Sequence, residues 1–152
     1  MALPARDFAI DLVVQGSDQL FVHGADGLSL QVFGSEVVVR EFGRELRFPT
    51  PTLSSSSPNH FVYVHKANDD RDLFVNGERI TTSSTGRWTG PYLGERGVFS
   101  LGSRFAGAAG SSPVYFKVVI HGAAQNAAAV LAACEAAESA GILNSNVCRS
   151  TP

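Results

Sequence analysis

The chain has 152 residues, 44 % of them hydrophobic, and a formal net charge of −2 at pH 7, which suits one domain over 1–152 with a sizeable core. Its basic residues are scattered singly, which argues against a nucleic-acid-binding surface because basic patches must cluster to attract nucleic acid. No apolar stretch approaches the roughly 20 residues of a membrane-spanning helix, so membrane insertion is not expected.

Short apolar runs separated by glycine make up the first third of the chain. The runs are 8–14, 19–23, 28–33 and 36–42. The run 28–33 alternates apolar and polar residues, as a half-buried strand does. Strands of this length at short, regular spacing predict a β-sandwich or a barrel.

A proline- and serine-rich segment then breaks the strand pattern. Pro49, Pro51 and Pro58 cannot donate to a β-ladder, and four consecutive serines between them offer nothing to bury. We therefore predict an exposed loop over about 48–59. A tolerated connection is the favoured interpretation over a modification site or a ligand lid.

Strand-type sequence returns as a three-stranded meander over 60–66, 72–75 and 78–82. The last two strands flank Asn76-Gly77, the favoured pair for a two-residue type I′ hairpin, because both central residues of that turn need positive φ. Two more strands are predicted over 98–102 and 114–120. The Asn76-Gly77 turn is interpreted as structural and not as a binding site.

One helix is predicted near the carboxyl terminus. Asn126 can cap it, apolar residues follow at helical spacing up to Cys134, and Gly141 ends it. The pattern as a whole predicts an all-β, two-sheet antiparallel sandwich with one short C-terminal helix.

The order of these elements, and the sequence of several of them, is similar to that of a known superfamily. The segment "NHFVYVHKANDDRDLFVNGERI" is similar to a Trp-His-x-Val strand followed by a hairpin written "LYVDGxRV", with His60 on the histidine and Asn59 in place of the tryptophan. Downstream, "GVFSLGS" and "VYFKVVIHGAAQNAAAVLAACEA" are similar to a glycine-ended strand and to a final strand plus helix. The chain thus resembles the laminin-G-like, concanavalin A-like lectin/glucanase superfamily. The resemblance implies a jelly-roll sandwich, a fold that hosts lectins, hydrolases and adhesion modules.

Catalysis is not expected. The glucanase branch of that superfamily carries closely spaced acids in a pattern like Glu-x-Asp-x-x-Glu, which this chain lacks. Glu36 and Glu41 would point to opposite faces of their strand. None of the four histidines has cysteine or carboxylate partners at metal-ligand spacing, and His60 and His65 would face opposite ways. We predict that the protein is not an enzyme.

An acidic turn at 68–72 is a candidate calcium site. Asp69, Asp70 and Asp72 offer the oxygen ligands that Ca²⁺ prefers, and the resemblance implies calcium at a rim in some laminin-G-like modules. The simpler interpretation is a turn rich in Asn and Asp that its charge keeps soluble. No other cofactor is predicted.

A second candidate site contains Arg87, Trp88 and Tyr92. Trp88 is the only tryptophan, and it lies in a polar region outside the predicted strands. An aromatic beside an arginine suits stacking on a sugar ring or anchoring a protein partner. Burial against the edge of the sandwich is the alternative.

These observations favour a non-catalytic recognition module that binds a protein partner through rim loops. The alternatives are a lectin for a carbohydrate ligand and a structural assembly domain of a larger complex. Cys134 and Cys148 can pair, but no secreted disulfide framework and no signal-peptide pattern is present. A cytoplasmic location is expected, unless the chain is a segment of a longer secreted protein, and this favours a protein ligand over an extracellular glycan.

Overall fold

The computed structural model describes residues 7–23, 28–41, 44–66, 70–82, 99–101 and 113–149. These residues form ten strands and one helix. The strands are β1 Phe8–Gln15, β2 Asp18–His23, β3 Leu28–Phe33, β4 Glu36–Glu41, β5 Arg44–Pro49, β6 Asn59–His65, β7 Arg71–Val75, β8 Glu78–Ile80, β9 Phe99–Leu101 and β10 Val114–His121. The helix, α1, is Ala127–Ser139.

The strands form two five-stranded antiparallel sheets that pack against each other. The first sheet has the order β10-β1-β6-β7-β8 and the second β5-β4-β3-β2-β9. Large buried side chains from both inner faces fill the space between them, among them Phe8, Phe48, Phe61 and Tyr63. The predicted two-sheet antiparallel sandwich is confirmed.

Strand β1, which lies between β10 and β6, is buried on both of its faces. Phe8, Ile10, Leu12 and Val14 point into the core between the sheets, while the alternating residues face outward from the first sheet. Burial on both sides explains why this strand reads as an almost continuous apolar run. Asp11 is the one charged residue in that run, and it is buried.

Helix α1 covers the outward face of the first sheet. The Asn126 side chain accepts a hydrogen bond from the Ala129 amide at 2.8 Å, which confirms the predicted cap. Val130 packs on Val62, Val64 and Phe74. We call this surface of the first sheet the covered face.

The carboxyl end of α1 packs on the other end of the covered face. Cys134 and Ala137 lie against Val13, and Gly141 ends the helix with φ of +75°, as predicted. Among the described residues, no helix combines the length and the apolar character that crossing a bilayer requires.

The structure differs from the prediction around the proline- and serine-rich segment. Residues 44–49 form β5, which was not predicted, so the irregular loop covers only 50–58. The reason is Phe48, which pairs with Val37 and is buried in the core. Pro49 is tolerated because β5 lies at the edge of the second sheet.

Candidate functional site

The β7–β8 hairpin is the centre of the candidate site. Asn76 and Gly77 have φ of 51° and 86°, which confirms the predicted type I′ turn. The Asn76 side chain accepts a hydrogen bond from the His60 amide at 2.8 Å, and its Nδ2 donates to Oδ1 of Asn59 at 3.1 Å. The turn is therefore locked in position against the start of β6.

A C-terminal segment crosses this hairpin. We call residues 142–149 the tail. The Arg149 amide donates to the Asn76 carbonyl at 2.7 Å. A Cys134–Cys148 disulfide joins the tail to α1, and the Cys148 amide donates to Oε1 of Glu138 at 2.7 Å. The tail is thus held to the helix on one side and to the hairpin on the other.

The 50–58 loop reaches the same place from the opposite side. Nδ2 of Asn59 donates to the Ser54 carbonyl at 3.0 Å and to the Ser57 carbonyl at 3.3 Å. Asn59 stands where the resembled family has tryptophan, and here its amide links the loop to the hairpin through Asn76. Two neighbouring asparagines therefore bring three separate segments together.

A cleft of about 290 Å³ lies between these three segments. We call it the hairpin cleft. Its apolar lining includes Leu53, Val75, Ile80 and Val147. Its polar lining includes Ser54, Ser57, Glu78, Asn144, Asn146 and Arg149.

Three polar side chains of the hairpin cleft are available to a ligand. The hydrogen bonds and ion pairs among the described residues do not use the side chains of Glu78, Asn144 or Arg149. Asn144 and Arg149 are exposed, and Glu78 is half-buried. Amides, a carboxylate and a guanidinium beside apolar side chains form a surface that can hydrogen-bond and also exclude water.

A buried polar cluster lies under α1, on the covered face. Oδ1 of Asp11 hydrogen-bonds to Nε2 of His60 at 2.8 Å, and Oδ2 accepts from Nζ of Lys117 at 2.7 Å. His121 stands 3.5 Å from the same oxygen. Burial raises the pKa of Asp11, but the bonds from His60 and Lys117 and their charges outweigh it and hold the pKa at about 2. Asp11 and His60 are buried, whereas Lys117 and His121 are half-buried at the margin of the cluster, so its main role is to stabilise the fold.

A second buried cluster joins the two sheets. Glu41 of β4 accepts from the Tyr63 hydroxyl at 2.5 Å, lies 3.1 Å from Nδ1 of His65 and pairs with Nε of Arg71 at 3.0 Å. Burial raises the pKa of Glu41, but the bond from His65 and the Arg71 charge lower it overall. Burial also raises the pKa of Tyr63, and the adjacent carboxylate adds to the effect. This Glu41 cluster fastens one sheet to the other.

The prediction that His60 and His65 face opposite ways is confirmed. His60 points to the covered face, where it meets Asp11, and His65 points into the core, where it stacks on Phe8 with 4.6 Å between the ring centres. Glu36 and Glu41 also lie on opposite faces of β4, as predicted.

The predicted calcium ligands are only partly described. Asp69 lies outside the described residues. Asp70 is exposed, and Asp72 belongs to β7, where it pairs with Nζ of Lys66 at 2.9 Å and with Nε of Arg79 at 3.4 Å. Over the described ranges, no group of three or more histidines, cysteines or acids is arranged to hold a metal. The calcium site stays a prediction.

The predicted rim site of Arg87, Trp88 and Tyr92 lies outside the described residues, so it too stays a prediction. Sequence reasoning missed the hairpin cleft because its lining comes from three segments that are distant in the chain. One signal was present: Asn59 directly precedes the first strand of the predicted meander and Asn76 directly follows the second, which places them side by side.

Comparisons with known proteins identify the fold. No protein-family model matches the chain, and no curated protein matches its sequence. The sialidase of Trypanosoma rangeli is similar in structure, with a TM-score of 0.68 and 15 % identity over 92 % of this chain and 24 % of the sialidase.

Botulinum neurotoxins supply two further structural neighbours. The binding domain of neurotoxin DC, in complex with SialylT, has a TM-score of 0.60 and 8 % identity over 86 % of this chain and 36 % of that chain. Neurotoxin type C, whose cell entry depends on two ganglioside molecules, gives the same TM-score and identity over 86 % of this chain and 36 % of that one.

These similarities show the fold alone, because all of the identities are low. The chain is a two-sheet antiparallel β-sandwich with one C-terminal helix, and it shares this fold with parts of a sialidase and of neurotoxin binding domains. It spans only 24 % of the sialidase and 36 % of the neurotoxin chains that it matches.

Proposed function

We propose that this domain is a non-catalytic lectin that binds sialylated glycans in the hairpin cleft. The observation that carries the proposal is the chemistry of the cleft lining, where Arg149, Asn144 and Asn146 adjoin the apolar side chains of Leu53 and Val147. Carbohydrate binding was the alternative to a protein partner in the sequence-based interpretation, and the cleft favours it.

Each polar or apolar group of a sialic acid has a chemically suited side chain in the lining. The carboxylate of the sialic acid suits the guanidinium of Arg149, which offers a planar fork of donors. Its acetamido group has a methyl for the apolar lining of Leu53 and Val147 and an amide for asparagine. Its hydroxyls suit Glu78 and Ser54, since a carboxylate accepts and a serine hydroxyl both donates and accepts.

The structural neighbours support the same class of ligand. One is a sialidase, one is a neurotoxin domain bound to SialylT, and one is a neurotoxin that interacts with gangliosides. Two of these names refer to sialic acid, and the third refers to gangliosides, which are sialylated glycolipids. The finer assignment to the laminin-G-like branch, on the residues around His60, is part of this proposal.

The absence of catalysis is also part of the proposal. Hydrolysis of a glycoside uses two carboxyl groups that flank the scissile bond. Glu78 is the one carboxylate in the described lining of the cleft. Asp11 and Glu41 are buried in clusters that the sandwich and the helix enclose.

The disulfide supports an extracellular location in place of the cytoplasmic one expected from the sequence. Bonds such as Cys134–Cys148 form and persist in oxidising compartments and are rare in the cytosol. Sialylated glycans are displayed on cell surfaces, so ligand and location agree.

Titration with sialyllactose and lactose tests the proposal. We expect wild-type protein to bind sialyllactose and to bind lactose much more weakly, by isothermal calorimetry. Arg149→Gln should lower the affinity for sialyllactose by about tenfold or more, since a hydrogen bond to a charged group contributes about 1.5–3 kcal/mol. Arg40→Gln, the same change at an exposed arginine of the second sheet, is the matched control and should leave binding unchanged.

Two outcomes would redirect the assignment. Failure of the wild-type protein to bind any member of a sialylated glycan array would refute the lectin proposal. A protein partner captured by the wild type and lost in a folded Trp88→Ala or Arg87→Ala variant would instead support protein binding through the rim loop.

A further inference from the structure

We infer that the Cys134–Cys148 disulfide gates the hairpin cleft, so that ligand binding requires the oxidised protein. This inference rests on the proposed function, because it concerns the same cleft. Cys148 would act as a positioning residue, which holds Arg149 and its neighbours in place without touching the ligand.

The tail supplies one wall of the cleft. Four of its residues line the cleft: Asn144, Asn146, Val147 and Arg149. They belong to a continuous stretch that contains no helix or strand. An irregular segment has no ladder of backbone hydrogen bonds to keep its shape. Its position therefore depends on the few links that tie it to the rest of the domain.

Those links are concentrated at the two ends of the wall. At its start, the Ile142 amide bonds to the Ala137 carbonyl, and Leu143 is buried against Val13. At its end stand the disulfide of Cys148 and two hydrogen bonds, from the Cys148 amide to Oε1 of Glu138 and from the Arg149 amide to the Asn76 carbonyl. Breaking the disulfide leaves the far end held by these two hydrogen bonds, which water can replace because Arg149 is exposed and Cys148 and Glu138 are half-buried.

The sandwich itself does not depend on the disulfide. Its large core between the sheets contains no residue of the tail and no residue of α1. Cys134 and Cys148 belong instead to a small separate cluster with Val13, Ala137, Ile142 and Leu143. Loss of the bond should therefore open the wall while both sheets stay folded.

The two sulfurs differ in access. Cys134 is fully buried on the inner side of α1, whereas Cys148 is half-buried at the surface. A dithiol reductant attacks Cys148 Sγ as a thiolate, and the bond between the two cysteine sulfurs breaks. The protein takes up two electrons and two protons as two thiols, and the dithiol is oxidised to its own disulfide.

Calorimetric titration of the full chain with sialyllactose, before and after reduction by dithiothreitol, tests the inference. Reduction should weaken binding at least about tenfold, and reoxidation should restore it. Cys148→Ser should bind as weakly as the reduced wild type, whether or not dithiothreitol is present. Amide hydrogen exchange over 144–149 should accelerate in both, while exchange in β1 and β6 stays slow.

The outcomes separate this inference from the proposed function. Equal affinity of the oxidised protein, the reduced protein and Cys148→Ser would overturn the gating inference and leave the lectin in place. No binding by the oxidised protein would overturn the lectin proposal and the gate with it. Loss of slow exchange in β1 and β6 on reduction would also overturn gating, because the disulfide would then maintain the whole fold.

Discussion

The outward faces of the two sheets both carry ion pairs, but the acid is buried on one face and the pairs are exposed on the other. On the covered face of the first sheet, the Asp11 side chain is 3 % exposed and bonds to His60 and Lys117. On the outward face of the second sheet, the Arg47 side chain is 48 % exposed and pairs with Glu36 and Glu45 at 2.6 Å each. We call the latter surface the open face.

Ion-pair distances on the two faces are similar, but their energetic meaning differs. An unpaired charge under α1 would lose water without compensation, so removing one partner is costly. On the open face, water solvates whichever partner remains, so a pair contributes little. Helix coverage, and not the geometry of the pair, therefore sets how much each charge matters.

The largest effect is expected from removing the charge at the centre of the covered face. Asp11→Ala leaves His60 buried with no acceptor and should lower the free energy of unfolding by ~3–5 kcal/mol. Urea denaturation measures the change. A loss below ~1 kcal/mol would show that water enters beneath α1 and that the covered face is not dry.

The next largest effect is expected at the Asn76-Gly77 turn, which accepts a hydrogen bond from the tail. Gly77→Val should lower the free energy of unfolding by about 2–3 kcal/mol, because valine is strained at positive φ. A Cβ at Gly77 would also stand 2.6 Å from the Arg149 carbonyl oxygen.

Gly34→Ala is a control for adding a side chain at a glycine of another hairpin turn. A Cβ there meets no atom within 4 Å, so the melting temperature should hardly change. If Gly77→Val keeps the wild-type melting temperature and loses glycan binding, the turn is a ligand site and its structural interpretation is wrong.

Much of this architecture could be predicted from local sequence. The alternation in Leu28–Phe33, the Asn76-Gly77 turn and the Asn126 cap each depend on residues near one another in the chain. Local steric and hydrogen-bonding rules therefore identified most strands and the helix. Strand β5 was not predicted because its sequence is charged and ends in proline, a composition that is typical of an edge strand.

The candidate site and the two buried clusters could not be predicted in the same way. Glu41 and Tyr63 lie on different sheets, and the cleft combines 50–58, the hairpin and the tail. Their proximity depends on how the sheets pack and on where the tail returns, which no local pattern encodes. The pairing of Cys134 with Cys148 could not be predicted for the same reason, since sequence alone permits both free and paired states of the two cysteines.

Acid should act mainly through the covered face. The pKa of Asp11 is lowered from 3.8 to about 2, so its contribution to stability is complete above pH 4 and is lost as the pH falls through 2. That contribution is about 2 kcal/mol. Urea denaturation between pH 5 and 2 measures it, with Asp11→Asn as the comparison.

In Asp11→Asn, the loss of stability between pH 4 and 2 should be smaller than in the wild type by the Asp11 contribution. The lowered pKa of Glu41 acts in the same direction in both proteins and cancels from the difference. Parallel pH profiles for the two proteins would mean that Asp11 has the same pKa folded and unfolded.

The smallest effect is expected on the open face. Arg47→Ala removes the pairs with Glu36 and Glu45, yet it should change the free energy of unfolding by less than ~1 kcal/mol, because those acids remain hydrated. Some of that change comes from packing, since Val38 is buried on this face opposite Arg47 on β5 and the arginine stem can cover it.

Arg47→Met keeps an apolar stem and so separates the packing contribution from the charge contribution. If packing dominates, Arg47→Met restores wild-type stability in urea at both low and high salt. A loss in Arg47→Met that disappears in high salt would assign the effect to charge and narrow the contrast between the two faces.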